Sequence, residues 1–217
     1  MIISPQRGYV FVHIPKTGGT SLARALEERA TKDDILIGDT PKARRRRQRV
    51  KQLRARGRLW KHSKLRDLDG LLSPDEIRAM QVVTIVRNPW DRMVSYFHWL
   101  QEQSFDHPAV RLAKTVPFDA FMRDPGTRAS ISADQVSDYL RLADGSEPPA
   151  LILRCETLVE DLTKLEEVIG ARLELPHVNR SDRPEEVAAL YDDDLREIVA
   201  KAYAGDIARF GYAFPAE

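Results

Sequence analysis

Tyr9–Leu26, YVFVHIPKTGGTSLARAL, is the stretch whose reading decides the fold. Its first four residues, Tyr9-Val10-Phe11-Val12, are an apolar, β-branched and aromatic run of the kind that buries as a strand. The chain then turns through Ile14-Pro15-Lys16-Thr17-Gly18-Gly19 and enters an amphipathic helix near Thr20. A strand, a glycine-bearing loop with one lysine and a helix N-terminus together make an anion site. The first backbone N–H groups of a helix have no partners inside it, and its dipole favours negative charge there. Gly18 and Gly19 let the backbone approach an oxyanion closely, and Lys16 adds a point charge. The alternative is an ordinary βα turn that happens to hold a lysine, and the paired glycines followed by Thr20-Ser21 weigh against it.

Working outward, 217 residues suit a single domain, spanning 1–217, with a sizeable core. One cysteine, Cys155, leaves no internal disulfide and fits a reducing compartment. No apolar run approaches the length of a membrane span, and the first residues lack the pattern of a signal peptide, so a cytoplasmic location is expected. The formal net charge is only +1, but it is unevenly distributed. Lys42 to Arg66 holds 13 Lys or Arg and no acid, whereas residues 67–217 carry 16 basic and 28 acidic residues.

Along the chain, Ile35-Leu36-Ile37 reads as a second strand. The Arg-rich segment 41–58 reads as a basic insertion or lid, a helix with a thin apolar stripe that ends at Gly57. Ser73-Pro74-Asp75-Glu76 is a helix start with a capping box. Gln81–Val86 is a continuous β-branched run, a buried and parallel strand. Trp90 to about Glu102 is amphipathic, with Met93, Val94, Phe97 and Leu100 at helical spacing. Ala150–Leu153 is another strand, and Glu156 to Ile169 a helix ended by Gly170. Helices from about Pro184 to Tyr191 and Asp192 to Phe210 close the chain. Strands alternating with helices predict an α/β sandwich with a mainly parallel central sheet.

Arg87-Asn88-Pro89-Trp90-Asp91-Arg92-Met93-Val94-Ser95-Tyr96 is a second strand-to-helix turn. Open parallel sheets bind ligands beyond the carboxyl ends of their strands. Arg87 suits bidentate contact with a phosphate, unless it is simply a surface residue, and Trp90 reads as a cap on the core. HIPKTGGTS followed by VRNPWDRMVSYF resembles the sulfotransferases that use 3′-phosphoadenosine 5′-phosphosulfate (PAPS), in the branch that includes carbohydrate sulfotransferases and bacterial relatives. Further resemblance lies in Gln135–Leu140, Arg154–Leu158, Leu175–Ser181 and Asp206–Phe214, so it covers most of the chain in order. The basic segment 42–58 has no place in that pattern.

The resemblance implies a three-layer sandwich related to P-loop NTPases. It also implies PAPS as donor, 3′,5′-ADP as product and no metal. Pro15, Lys16, Thr17, Gly18, Gly19, Thr20 and Ser21 match the 5′-phosphosulfate loop, and Arg87 and Ser95 match the 3′-phosphate anchors. Asn179, Ser181 and Arg183 match a loop that closes over the nucleotide, with Arg180 a further candidate for the 3′-phosphate. A P-loop kinase is the natural confusion, but a Walker A loop places its lysine after the second glycine. Here Lys16 precedes both glycines, and the 82–86 and 150–153 strands are followed by Arg87 and Arg154 rather than by an acid.

Sulfuryl transfer parallels phosphoryl transfer: positioning and charge stabilisation carry the chemistry. Lys16 would stabilise charge on the leaving oxygen. The acceptor, a hydroxyl or an amine, needs a base. Among His13, His62, His98, His107 and His177 the resemblance points to His62, because members of that family often use a His or Glu between the two motifs, and it also lies in a polar, lysine-flanked stretch; a surface histidine is the plain alternative. The acceptor is expected to be a small molecule or a carbohydrate, with a lipid or a peptide left open. If the basic run acts at long range, the acceptor is anionic; otherwise that run is a solvated face. Nucleic-acid binding ranks lower because Trp60 is the one aromatic in the tract. A non-catalytic relative that binds 3′,5′-ADP is the rival reading. Oligomeric state is not legible.

Overall fold

The structure is a computed structural model, and it describes residues 1–176 and 186–215. In chain order its elements begin with β1 (Ile2–Ser4), β2 (Tyr9–Val12), α1 (Gly19–Glu28) and β3 (Ile35–Leu36). Next come α2 (Pro41–Arg45), α3 (Arg47–Gln52), α4 (Pro74–Arg78), β4 (Gln81–Val86) and α5 (Pro89–Gln101). Then follow α6 (Pro108–Thr115), α7 (Phe118–Arg123), α8 (Pro125–Ser132), α9 (Val136–Leu140), β5 (Ala150–Arg154) and α10 (Leu158–Ile169). The described chain closes with α11 (Asp193–Ala202) and α12 (Ala204–Phe210).

The chain divides into two compact units. The first is Met1–Val86 with the described part of Val136–Val178; the second is Arg87–Gln135 with the described part of Asn179–Glu217.

The first unit holds a five-stranded sheet in the order β3-β1-β2-β4-β5. β2, β4 and β5 run parallel, while β1 pairs antiparallel with both β2 and β3. The long central strands are therefore parallel, as their unbroken apolar runs predict. β1 went unread as a strand. Its three residues are too few to show alternation, and it is built by a turn in which Gly8 N–H donates to Pro5 O at 3.3 Å.

Register explains which side chains share a face. Ile2 pairs with Phe11, Phe11 with Val83, and Val83 with Leu151. This row packs with Leu22 and Leu26 of α1 and Leu162, Leu165 and Ile169 of α10 in one core. Alternate residues Val10, Val12, Val82 and Thr84 point the other way and are equally buried. Thr84, polar in that row, is satisfied by donating its hydroxyl to Val12 O at 2.9 Å. The helix ends follow local chemistry. Ser73 caps α4 in a reciprocal box with Glu76 and with Pro74 in the first turn, and Gly170 ends α10 at φ 64°.

The basic segment is shorter in helix than its pattern predicts. α2 and α3 end at Gln52, with Leu53 extended. Gly57 terminates nothing. It lies against the backbone of Asp67, where a Cβ would come within 2.4 Å of Asp67 Cα. Its N–H donates to Asp67 O at 3.2 Å, beside Arg56 N–H to Asp69 O at 2.7 Å. Three of the cations hold carbonyl oxygens: Lys42 that of Glu27, Arg46 those of Thr31 and Asp34, and Arg49 that of Lys32.

The second unit is helical. α5 buries Trp90, Met93, Val94, Phe97 and Leu100 against Phe118, Phe121, Leu195, Val199 and Tyr203. The closing helical stretch breaks at Tyr203, which separates α11 from α12. Among the described residues no helix is long and apolar enough to cross a membrane.

Candidate active site

β2 ends at Val12, and the chain turns through His13–Gly18 into α1. One hydrogen bond and two left-handed residues shape this loop. Thr17, buried, donates its hydroxyl to Ile14 O at 2.9 Å and so closes the turn on itself. Lys16 takes φ 64°, the one non-glycine residue with positive φ among those described. That left-handed conformation costs an L-residue about 1–2 kcal/mol. Gly18 follows at φ 84° as the N-cap of α1. No side chain caps this helix and no acid lies in its first turn. α4, α8 and α11, by contrast, are capped by Ser73, Asp124 and Asp192. The positive end of the α1 dipole thus faces the loop without a capping carboxylate, which suits an anion.

The paired glycines have separate reasons. A Cβ on Gly19 would lie 2.4 Å from His13 Cδ2 and 2.7 Å from its Nε2. A Cβ on Gly18 would lie 3.1 Å from Cys155 Sγ. Cys155 is half-buried directly after β5, where its N–H donates to Val86 O at 2.9 Å. The loop after β2 is therefore supported from below by a buried imidazole and from the side by a thiol.

His13 is 7% exposed, and its pKa is held well below the ordinary 6.5. Burial is the main cause; His62, the N-terminal ammonium, Lys61 and Lys16 add repulsion. It is a neutral packing group. His62 Nδ1 lies 2.8 Å from His13 O. A carbonyl oxygen can only accept, so Nδ1 carries the proton and the lone pair of the neutral ring is on Nε2. The His62 ring is edge-on to His13 at 4.7 Å and to Trp60 at 5.1 Å. Lys61 forms an ion pair with Asp39 at 2.6 Å.

In the second unit, Arg87 opens the turn into α5. Its Nε donates to Asp91 Oδ2 at 2.6 Å, with side-chain exposures of 11% and 18%. Asn88 caps α5 by accepting from Trp90 N–H at 3.1 Å, and its amide donates to Ala213 O at 2.8 Å. Trp90 is core, as expected, with its indole N–H on Arg196 O at 3.1 Å. Ser95 is 3% exposed, and its hydroxyl has no hydrogen-bond partner among the described residues.

The loop, the turn and their order along the chain match a known sequence profile over residues 1–213. The chain belongs to the Sulfotransferase family. The crystal structure of mouse sulfotransferase SULT7A1 complexed with PAP is 18% identical, with a TM-score of 0.48, and the match covers 94% of this chain and 67% of that one. No curated protein matches the chain.

In this sulfotransferase the structure brings together Pro15, Lys16, Thr17, Gly18, Gly19, Thr20, Ser21 and His62 within the first unit, and Arg87 and Ser95 on one turn-and-helix in the second. Asn179, Ser181 and Arg183 lie outside the described residues. Two of the other histidines hold local positions, and His177 lies outside the described residues. His98 Nδ1 contacts Val94 O one turn back at 2.9 Å, and His107 caps α6. Asp91 was missed by sequence reasoning, although its place four residues after Arg87 on a helix was a readable signal. His13 was legible from its place at the end of β2 as a group that orients the loop, and it packs against Gly19; Cys155 beside Gly18 had no such signal, because its role depends on three-dimensional proximity. Among the described residues no three His, Cys, Asp or Glu gather as metal ligands.

Proposed function

We propose that this sulfotransferase moves a sulfuryl group from PAPS to a hydroxyl of a small acceptor, with Lys16 and His62 as its catalytic groups. The observation that carries the reading is the loop itself. Lys16 and Gly18 both take left-handed backbone directly before an α1 terminus that no side chain caps. This is a cradle for the 5′-phosphosulfate made from backbone N–H groups of Gly18–Thr20, the Ser21 side chain and the Lys16 ammonium. Pro15 sets the entry to the loop. Thr17 contributes through its backbone, since its hydroxyl proton is spent on Ile14 O. Arg87, oriented by Asp91, and the buried Ser95 hydroxyl hold the 3′-phosphate. Asn179, Ser181 and Arg183 are proposed as further nucleotide contacts.

In the reaction the acceptor oxygen forms a bond to sulfur as the bond from sulfur to the bridging phosphate oxygen breaks. His62 Nε2 takes the acceptor proton, and its tautomer is set by the hydrogen bond from Nδ1 to His13 O. Lys16 stabilises the charge that builds on the leaving oxygen, which departs as part of 3′,5′-ADP.

The test compares nucleotides. 3′,5′-ADP raises the melting temperature well above the effect of 5′-AMP, because only the former carries the group that Arg87 and Ser95 hold. Arg87→Ala lowers 3′,5′-ADP affinity about 10–100-fold, the loss of one charged hydrogen-bonding group, and leaves 5′-AMP binding unchanged. Equal stabilisation by the two nucleotides in the wild-type protein refutes the assignment.

A further inference from the structure

Residues 58–63 form a tight turn beside the proposed base. Ser63 is fully buried and ties the turn together. Its hydroxyl donates toward Arg58 O at 2.9 Å and Trp60 O at 2.8 Å and accepts from Trp60 N–H at 2.8 Å, while its own N–H donates to Trp60 O at 3.0 Å. The turn holds Trp60 with 41% of its surface exposed. A lone exposed apolar residue needs no explanation. This one is a tryptophan fixed between two functional groups. Its ring meets His62 edge-on at 5.1 Å and 87°, and the Arg58 guanidinium lies 5.3 Å from its centroid. Arg58 is exposed and has no ion-pair partner among the described residues. Two of its neighbours differ: Arg56 pairs with Asp69 at 2.9 Å and Lys61 with Asp39 at 2.6 Å. No acid occurs in sequence between Lys42 and Arg66, although the Asp67 side chain lies against Gly57.

We propose that Trp60 and Arg58 form the acceptor subsite. Trp60 supplies the face on which a hydroxylated ring stacks, and Arg58 pairs with a carboxylate on that ring. The acceptor class is thus a ring alcohol or phenol that also carries an anionic group. This deepens the reading given above and rests on His62 as base, since a ring seated on Trp60 presents its hydroxyl beside the His62 imidazole. An acidic sugar and an aryl acid share this chemistry, and matched probes separate them.

The experiment measures transfer from labelled PAPS to two pairs: methyl β-D-glucuronide against methyl β-D-glucoside, and 4-hydroxyphenylacetate against 4-hydroxyphenethyl alcohol. In at least one pair the carboxylate member has the lower KM, by about 10-fold, the scale of a charged hydrogen bond. The pair that discriminates identifies the source. Arg58→Gln removes the discrimination by raising the KM of the carboxylate member alone. Trp60→Ala raises KM for both members by about 10-fold, the scale of losing a stacking face, with 3′,5′-ADP affinity preserved. The assignment is overturned if no probe is sulfated, if neither pair discriminates, or if both variants leave KM unchanged. A parallel fall in 3′,5′-ADP affinity overturns it too, because that marks a structural role. His62→Ala keeps the two readings apart: full kcat in that variant refutes the base, while the KM effects of Arg58→Gln are read independently.

Discussion

Gly19→Ala is the sharpest perturbation of the phosphosulfate loop, because the obstacle to it is one identified side chain. The added methyl would stand 2.4 Å from His13 Cδ2. The imidazole has little room to retreat. It is 7% exposed, stacked on Phe11 at 5.8 Å and edge-on to His62 at 4.7 Å. Its backbone is also tied, since His13 O accepts from His62 Nδ1 at 2.8 Å. Overpacking of this kind costs about 1–3 kcal/mol. In a protein of this size that lowers the melting temperature by roughly 2–4 °C per kcal/mol. Urea unfolding of wild type, Gly19→Ala, His13→Ala and the double variant forms a cycle that isolates the clash. With the ring removed, the methyl has space and its cost falls to within about 0.5 kcal/mol of zero, so the coupling equals nearly the whole single-variant loss. An equal cost for Gly19→Ala in both backgrounds refutes the reasoning, because it would place the strain in the backbone rather than against the imidazole.

Other expectations follow from the same contacts. Below the ordinary histidine value of 6.5 the unfolded chain binds a proton that buried His13 resists. Wild-type stability therefore falls as pH drops below that value, by up to about 1.4 kcal/mol per pH unit, and His13→Ala flattens this slope in pH-dependent urea titrations. The buried Met1 ammonium, lowered from 8.0 to about 5, acts with the same sign in both proteins and cancels in their difference. Lys16→Gly relieves the left-handed backbone at φ 64°; it matches or exceeds wild-type stability by up to about 1 kcal/mol while transfer from labelled PAPS is lost. A destabilised Lys16→Gly would show that the lysine side chain, not the loop, holds that conformation. Ser73→Ala removes the reciprocal cap of α4 and costs about 1 kcal/mol by urea unfolding, with no change in turnover.

Much of this was readable from the chain because local chemistry decided it. Tyr9–Val12 and Gln81–Val86 are strands over the residues that their apolar runs mark. Ser73 with Glu76 and Gly170 announce helix ends through side-chain and backbone preferences that act over a few residues. Other features depended on residues far apart in sequence. Gly57 looked like a helix stop, yet its reason is the Asp67 backbone across a loop. The two loop glycines looked alike, yet one answers to His13 and the other to Cys155. Tyr203, which divides the closing helices, is fully buried beside Arg92 and Met93 of α5, a demand no helical periodicity reveals.

The basic run shows why a charge count assigns no function by itself. Thirteen cations between Lys42 and Arg66 invite a single electrostatic explanation. The structure divides them by partner. Lys42, Arg46 and Arg49 hold backbone carbonyls near the end of α1 and the loop after it. Arg56, Lys61 and Lys64 face carboxylates. A cation paired with a carboxylate has its field largely cancelled at short range, a cation on a carbonyl is fixed in place with its charge intact, and salt screens exposed charges beyond about 10 Å. What distinguishes Arg58 is therefore not its membership of the run. It is placed over Trp60 by a turn that the buried Ser63 holds. Neutralising Arg44, Arg45 and Arg47 together should leave acceptor KM within about 2-fold, since exposed charges act weakly across solvent. Arg58→Gln alone should raise it about 10-fold for the carboxylate probe. Transfer kinetics of the two variants decide between a diffuse field and a single positioned guanidinium: a KM that rises in the triple variant and not in Arg58→Gln would return the whole run to long-range steering.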